Sequence, residues 1–215
     1  MTAGRKPTRS REEFVTAAIE YADEHGISNL SLRSLGSAMG ASTTAVYRYF
    51  HDKNDLIVAM RETLLAGAFP ANAAGDPRSV LMASALGYRT TAKAHPCLSQ
   101  IMNLPALEGT VTMAVPQLLI NTLAELGLSG PLLVRGYRQL ESFVLGATAF
   151  DFSDAPLHLQ DRYDRMRQLE SPDIDAVLTD PKAVERNNEA AFLASLTMLL
   201  DGLLQESTLT EQHER

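Results

Sequence analysis

Apolar residues recur with helical spacing along most of the chain, and the first such stripe lies near the amino terminus. Between residues 14 and 22 apolar side chains occur at positions i, i+3, i+4, i+7 and i+8, which places them on one face of a helix. Ser10 or Arg11 begins this predicted helix, and Gly26 ends it because glycine accepts the left-handed conformation that follows a helix. The stripe consists of Phe14, Ala17, Ala18, Tyr21 and Ala22.

Two short predicted helices follow, with a glycine in the turn between them. Ser31 is a favourable N-cap for "LRSLGSAM", and Gly40 closes that helix. Ser42 caps "TTAVYRYF", in which Val46 and Phe50 share one face at spacing i, i+4. Two short helices joined by a tight turn are the ingredients of a helix-turn-helix motif, whose second helix enters the major groove of DNA.

The rest of the pattern predicts further helices and no strand, since we find no alternation of period two between hairpin turns. The chain is therefore predicted to be all-α. Residues 153–181 are rich in proline and charge and predict a loop with one helix near 157–169, and the tail "STLTEQHER" is expected to fray. The other predicted helices cover 53–68, 78–94, 97–104, 110–126 with an interruption at Pro116, 132–152 and 182–205.

Charge is distributed unevenly in this acidic protein, whose formal net charge is −7. Residues 1–53 hold seven Lys/Arg and six Asp/Glu, whereas residues 54–215 hold twelve and twenty. Four basic residues, Arg5, Lys6, Arg9 and Arg11, precede any acidic residue. A basic arm that opens an acidic chain is typical of an end that faces nucleic acid, although a solubilising tail has the same composition.

The helix after Ser42 carries many hydrogen-bonding side chains on the faces that its apolar residues leave exposed. Threonine and arginine contact base edges, whereas tyrosine hydroxyls donate to phosphates. Lys53 begins the next helix, where backbone N–H groups and an ammonium together favour an anion. For Arg33, which is predicted on the exposed side of the preceding helix, contact with a phosphate and simple exposure to solvent are equally good interpretations. The candidate DNA-contacting residues are Arg5, Lys6, Arg9, Arg33, Ser42, Thr43, Thr44, Tyr47, Arg48, Tyr49 and Lys53.

The segment "GISNLSLRSLGSAMGASTTAVYRYFHDKNDLI" resembles the DNA-binding region of the TetR/AcrR family of transcriptional regulators. The matching positions, within about residues 11–60, are Gly26, Leu35-Gly36, Gly40-Ala41-Ser42, Tyr47 to Phe50, Lys53 and Leu56. Gly36 departs from the pattern, because the family usually has alanine there. The resemblance implies a three-helix DNA-binding domain over residues 1–52, with its basic arm, joined to a larger helical ligand-binding and dimerisation domain over residues 53–215.

The resemblance also implies a homodimer on near-palindromic double-stranded DNA, most often a repressor that a small molecule releases. Both long carboxy-terminal helices carry apolar strips, which the family would place in a four-helix interface, the alternative being that they form the core of one chain. The strips contain Phe192, Leu193, Leu196, Leu199, Leu200 and Leu203 in the last helix, and Leu133, Tyr137, Leu140, Phe143, Val144 and Phe150 in the other.

Residues 94–134 contain only two charged side chains, Glu108 and Glu125, and their predicted helices are short and broken by proline. This composition favours a cavity for a small apolar or neutral ligand, with a filled core as the alternative. If a helix runs through Pro116, the carbonyl of Thr112 lacks its donor and becomes available to that ligand. The candidate ligand-binding residues are Tyr88, His95, Met102, Asn103, Met113, Gln117 and Phe143.

Other functional classes find little support. The chain has one cysteine, no stretch of about 20 apolar residues and no apolar leader, so we expect a cytoplasmic protein without disulfides. We find no catalytic sequence motif, and His95 with Cys97 gives fewer ligands than zinc needs, so we expect neither an enzyme nor a metal or other cofactor. The alternative function is an all-α small-molecule binding or interaction protein without specific DNA binding.

Overall fold

Helices make up all the regular structure of the chain in the part described by the computed structural model, which covers residues 9–69, 75–104, 114–149, 168–169, 171–178 and 180–213. One turn of 3-10 helix, Ile27–Asn29, lies between the first two α-helices. The α-helices are α1 Arg11–His25, α2 Leu32–Ala38, α3 Thr43–Tyr47, α4 Lys53–Ala68, α5 Pro77–Ala94, α6 Cys97–Met102, α7 Ala114–Glu125, α8 Gly130–Ala149, α9 Pro172–Leu178 and α10 Pro181–His213. The predicted all-α fold class is confirmed.

The first three helices enclose a small apolar core. Phe14 of α1, Leu35 of α2 and Val46 of α3 are buried there. The start of α1 is fixed by a capping box, in which the Glu13 N–H donates to the Ser10 hydroxyl at 3.2 Å and the Ser10 N–H donates to the Glu13 carboxylate at 2.6 Å. Such reciprocal bonds satisfy two N–H groups that have no partner inside the helix, so α1 begins where the sequence predicted.

Helix α4 connects this group of helices to the rest of the chain. It packs against α1, and it also packs against α5 and α6. The crossing of α4 and α5 is close, because a β-carbon at Gly87 would collide with the carbonyl oxygen of Ala68. The absence of a side chain at Gly87 therefore sets the distance between these two helices.

The larger group of helices is held by a shared apolar core and by ion pairs between α5 and α10. Arg78 pairs with Asp201 at 2.6 Å, and Arg89 and Lys93 both pair with Glu185. Burial alone would raise the pKa of the Glu185 carboxyl, but its hydrogen bonds and the positive charges beside it lower that pKa below its ordinary value. These pairs fix the position of α10 along α5.

Three predicted elements differ from the structure. Pro116 does not interrupt the described helix α7, which continues through it. Residues 172–178, predicted as part of a loop, form helix α9. Residues 206–213 do not fray from the last helix but continue α10 to His213. The helix expected near 157–169 lies almost entirely outside the described residues, as do Thr112 and Phe150.

The apolar strips of the two long helices mainly face the core of their own chain. Phe192, Leu196, Leu200 and Leu203 of α10 are buried there, as are Leu140 and Val144 of α8. Leu193, Leu199, Leu133, Tyr137 and Phe143 are half-buried. These residues therefore belong largely to the interior of one chain, and a contact between chains through these two helices would use their outer faces.

Candidate nucleic-acid interface and ligand cavity

Helices α2 and α3 form the predicted helix-turn-helix, and their turn is tight because one glycine lies in it and a second, in α2, packs closely against it. Gly40 has φ +60°, a backbone conformation that other residues rarely adopt. Gly36 lies so close to the turn that an added β-carbon would lie 3.3 Å from the carbonyl oxygen of Ala41. The Ser42 hydroxyl then caps α3 by accepting the N–H of Ala45 at 3.2 Å.

Helix α3 buries one face and exposes the other. Val46 is fully buried, whereas Thr44, Tyr47 and Arg48 are exposed, with 57% of Tyr47 accessible to solvent. The side chains of Tyr47 and Arg48 make no hydrogen bond or ion pair to any other residue of the described chain. An exposed helix face with unused donors is the arrangement that reads base edges in the major groove.

Arg9 and Tyr49 contact each other at the base of the amino-terminal arm. The Tyr49 hydroxyl donates to the carbonyl of Arg9 at 2.9 Å, and the Arg9 guanidinium donates to the carbonyl of Met39 at 2.6 Å. The Tyr49 ring also packs on Phe14, with 5.7 Å between ring centres. These contacts fix the start of the arm beside the helix-turn-helix. Arg5 and Lys6 lie outside the described residues.

The side chain of Lys53, at the start of α4, forms a hydrogen bond within the protein. Its ammonium donates to the carbonyl of Ile27 at 2.8 Å, and burial lowers its pKa below the ordinary value for lysine. Arg33 is exposed on α2, and Thr43 is half-buried at the start of α3. The structure thus brings Arg9, Ser42, Thr43, Thr44, Tyr47, Arg48 and Tyr49 together around α3.

Helix α6 and the residues just before it are joined to α1 and to the turn after α1 by hydrogen bonds that side chains make. The carboxylate of Asp23 in α1 accepts the N–H of Cys97 at 2.9 Å and lies 2.8 Å from Nδ1 of His95. The N–H of Ile27, next to α1, donates to the side chain of Gln100 at 2.9 Å. These hydrogen bonds connect α6 directly to α1 and to the turn that precedes α2.

A cavity of about 110 Å³ lies between α4, α5, α7 and α8. One water molecule needs roughly 10–15 Å³, so the cavity is several times larger than a site for a single water. Its wall is mainly apolar, with a few polar side chains set into it. The lining residues are Arg61, Leu65, Phe69, Leu81, Ser84, Ala85, Tyr88, Met102, Val115, Pro116, Leu119, Tyr137, Leu140, Glu141, Val144 and Leu145.

Two of the predicted ligand-binding residues, Tyr88 and Met102, line this cavity. The other described candidates lie elsewhere and have their own contacts. His95 faces Asp23, and Asn103 donates to the carbonyl of Ser99 at 2.8 Å. Gln117 is exposed and donates to Asn121, Phe143 stacks on Phe192, and Met113 lies outside the described residues.

Sequence reasoning missed the contribution of α4 to the cavity, and from α8 it chose Phe143, which is not in the wall. It started from residues 94–134 because that segment is poor in charge, whereas the wall also uses Leu65 of α4 and Tyr137 and Glu141 of α8. One signal was available, since Arg61 interrupts the apolar run in "LIVAMRETLL" at a position that helical spacing places on the buried face. A charged residue at such a position indicates either an internal partner or a ligand.

Family models match both the amino-terminal and the carboxy-terminal part of the chain. The family model for bacterial regulatory proteins of the tetR family matches residues 14–60, and the model for the tetracyclin repressor-like C-terminal domain matches residues 69–207. The crystallised transcriptional regulator SCO7222, a TetR from Streptomyces coelicolor, superposes with a TM-score of 0.70 at 25% identity, over 92% of this chain and 98% of that one.

Two relatives are similar over part of their length. The HTH-type transcriptional repressor DrrR1 of Streptomyces coeruleorubidus is 28% identical over 146 residues, which cover 67% of this chain and 54% of DrrR1. The HTH-type transcriptional repressor Rv1353c of Mycobacterium tuberculosis is 34% identical over 113 residues, 49% of this chain and 43% of that protein. The chain thus matches about half the length of these relatives. None of the described helices is long and apolar enough to cross a membrane.

Proposed function

Because the chain belongs to the TetR family of bacterial regulatory proteins, we propose that it is a dimeric transcriptional repressor that a small ligand releases from double-stranded DNA. The operator would be near-palindromic, since a two-fold dimer presents two equivalent reading helices. The protein would act in the cytoplasm, where its DNA partner lies. The single observation that carries DNA binding is the exposed face of α3.

That face supports distinct roles for its residues. Arg48 suits a guanine edge, and Thr43 and Thr44 suit bases or a thymine methyl group, whereas the Tyr47 hydroxyl suits a phosphate. Tyr49 and Lys53 would position the DNA-facing helices through their contacts with Arg9 and Ile27, and either could also reach a phosphate. Arg5, Lys6 and Arg9 would extend the interface along the arm.

Ligand release requires that the cavity and the reading helix be connected, and α6 supports such a connection. The carbonyl of Ile101 in α6 accepts a hydrogen bond at 3.1 Å from Arg61, which lines the cavity. The same helix holds Ile27 through Gln100. A ligand that binds better to a shifted position of α6 would change the spacing of the two reading helices, because only a difference in affinity between two states moves their equilibrium.

The outer face of α10 supports dimerisation. Met198 and Leu209 lie on this face with 74% and 56% of their surface exposed, and Val134 of α8 is 64% exposed. Small residues of α10 lie on the same side as Met198, and a β-carbon added at Gly202 would meet no atom within 4 Å. A smooth, partly apolar face of this kind fits a second copy of the same chain, as the family's dimers lead us to expect.

Binding to the DNA upstream of the protein's own gene tests the proposal, measured by fluorescence anisotropy with unrelated DNA as competitor. We expect specific binding to the upstream fragment, and Arg48→Ala to weaken it by about 1–3 kcal/mol while relaxing sequence preference. Arg186→Ala is the matched control, because Arg186 is exposed on α10 far along the chain from α3 and pairs only loosely with Asp180, at 3.5 Å.

The alternative function, an all-α small-molecule binding or interaction protein, gives a different result in the same assay. It predicts equal affinity for the upstream fragment and the competitor, and no difference between the Arg48→Ala and Arg186→Ala variants. If the upstream fragment binds no better than competitor, selection from a random DNA pool decides whether any sequence is preferred. Absence of preference there would reject the repressor.

A further inference from the structure

Arg61 of α4 is a buried cation that lacks an acidic partner. Only 6% of its surface is exposed, and within the described chain its guanidinium donates one hydrogen bond, to the neutral carbonyl of Ile101. The Nε atom has no hydrogen-bond partner, and no carboxylate in the described chain forms an ion pair with this guanidinium. Arg61 is at the same time one of the residues that line the cavity.

Burial of such a group is unfavourable. It lowers the pKa of the Arg61 guanidinium, although arginine titrates so far above neutrality that the group stays charged. Buried charges in proteins are normally paired with an opposite charge or fully hydrogen-bonded. Glu141 also lines the cavity, but its two oxygens accept hydrogen bonds from Tyr137 at 2.9 Å and from Arg138 at 3.0 Å.

Ser84 and Tyr88 line the same cavity, and the hydroxyl group of each is buried without a hydrogen-bond partner. The Ser84 hydroxyl is buried and makes no hydrogen bond, and the Tyr88 hydroxyl lies near Thr148 without forming a bond of good geometry. Both belong to α5, one turn apart, and both can donate to an oxygen. Buried polar groups are rarely left unpaired, so three such groups around one cavity indicate a missing acceptor.

We propose that the ligand of this cavity is an amphipathic acid, with an apolar body and one carboxylate that binds Arg61, Ser84 and Tyr88. The inference deepens the proposed function, because it names the ligand class of the site that function requires. It replaces the neutral ligand expected from residues 94–134, a segment that does not contain Arg61. The apolar side chains of Phe69, Leu81 and Val144 would hold the body of the molecule.

The same contact gives the ligand a means of moving α6. A carboxylate accepts hydrogen bonds from a guanidinium more strongly than a neutral carbonyl does. A carboxylate that draws the guanidinium towards the cavity would therefore weaken the hydrogen bond from Arg61 to the carbonyl of Ile101, which connects α4 to α6. A ligand that binds better when this hydrogen bond is broken would supply the difference in affinity between two states that release from DNA requires.

Paired probes test the ligand class with the full-length protein. The pairs are benzoate with benzamide, 2-naphthoate with 2-naphthamide, and decanoate with decanamide, each titrated by calorimetry. The two members of a pair have similar shapes and differ in charge. We expect at least one carboxylate to bind about tenfold or more tightly than its amide, because a hydrogen bond to a charged group contributes more than one to a neutral group.

Substitutions at Arg61 test whether this residue causes the preference for a carboxylate over its amide. Arg61→Gln should remove the difference in affinity between carboxylate and amide, and Arg61→Lys should keep part of that difference because the charge remains. Arg186→Gln, the control outside the cavity, should behave as the wild type. If the glutamine variant does not fold, the wild-type pairs and the lysine variant still decide the matter.

Three outcomes would overturn the inference. They are the absence of binding by every carboxylate, equal binding of all amides and carboxylates, and an unchanged carboxylate preference in Arg61→Gln. DNA affinity is measured separately on the same samples. A protein that prefers carboxylates but binds no specific DNA would reject the proposed repressor and leave the ligand class standing, whereas the reverse result would reject only the ligand class.

Discussion

At the scale of single residues, α4 and α5 can pack closely because Gly87 has no side chain. A β-carbon there would collide with the carbonyl of Ala68, which is backbone and has little room to move. We expect Gly87→Ala to lower the free energy of unfolding by about 1–3 kcal/mol, the usual effect of overpacking. Urea denaturation of the variant and the wild type measures the difference.

Gly67→Ala is the matched control for that change. Gly67 is exposed in α4, and a β-carbon there would meet no atom within 4 Å. Alanine is the better helix former, so this variant should gain about 0.5–1 kcal/mol. If both alanine variants shift the free energy of unfolding in the same direction, the close contact at Gly87 does not govern the crossing of the two helices.

The single cysteine shows how burial changes the reactivity of a side chain. Cys97 is fully buried at the start of α6, and burial, together with the negative charge of Asp23, raises the pKa of its thiol well above the ordinary value. Only the thiolate reacts with disulfide reagents. We expect Cys97 to resist Ellman's reagent at neutral pH in the folded protein and to react rapidly in denaturant. Rapid reaction without denaturant would show that α6 opens easily.

Sequence analysis predicted the types of residue at the interface but not their partners within the protein. Lys53 was expected to face DNA because it begins a helix, and that much follows from local sequence. Its hydrogen bond to Ile27 joins residues 26 positions apart, and the bond from Tyr49 to Arg9 joins residues 40 apart. Contacts at such separations depend on tertiary packing, which the spacing of apolar residues does not specify.

At the scale of elements, helix starts were the most predictable feature. Ser10, Ser31, Ser42 and Asp52 all cap helices with their side chains, because short polar side chains can bond free N–H groups at a helix start. The length of α10 was not predictable in this way. Its last turns contain the buried Ser207, which donates to the carbonyl of Gly127 at 3.0 Å, so a distant loop supports residues that look like a polar tail.

The docking of α6 on α1 depends on the carboxylate of Asp23. Asp23→Ala would leave the N–H of Cys97 without an acceptor and remove the partner of His95, so we expect it to lower the free energy of unfolding by about 1–3 kcal/mol. Glu24→Ala is the control, because Glu24 is 76% exposed and should stay within about 0.5 kcal/mol of the wild type. Equal losses in the two variants would contradict this role of Asp23.

At the scale of the whole molecule, the cavity shows why the ligand site was harder to predict than the fold. Each helix was recognisable from its own apolar spacing, but the cavity lies between α4, α5, α7 and α8. Arg61 and Tyr137 come from helices far apart in sequence, and only their packing brings them to one wall. A prediction centred on one segment with few charges therefore included Tyr88 and Met102 of the wall and missed the charged side chain of Arg61.

The assembly of two chains can be tested on the outer face of α10. Met198 is the most exposed large apolar residue of the described chain, and Leu209 lies three helical turns away on the same side. A buried charge without a partner is strongly unfavourable, so Met198→Glu should shift a dimer towards a monomer of about 23.4 kDa. Light scattering at micromolar concentration measures the mass.

The same substitution should weaken DNA binding without changing α3, because two linked reading helices bind a two-fold site far more tightly than one. Thr90→Glu adds the same charge at an exposed position of α5 and should leave both mass and DNA affinity unchanged. The outer face of α10 is not the interface if Met198→Glu remains a dimer with full affinity. A wild-type mass near that of one chain would exclude the dimer itself, and with it the near-palindromic operator.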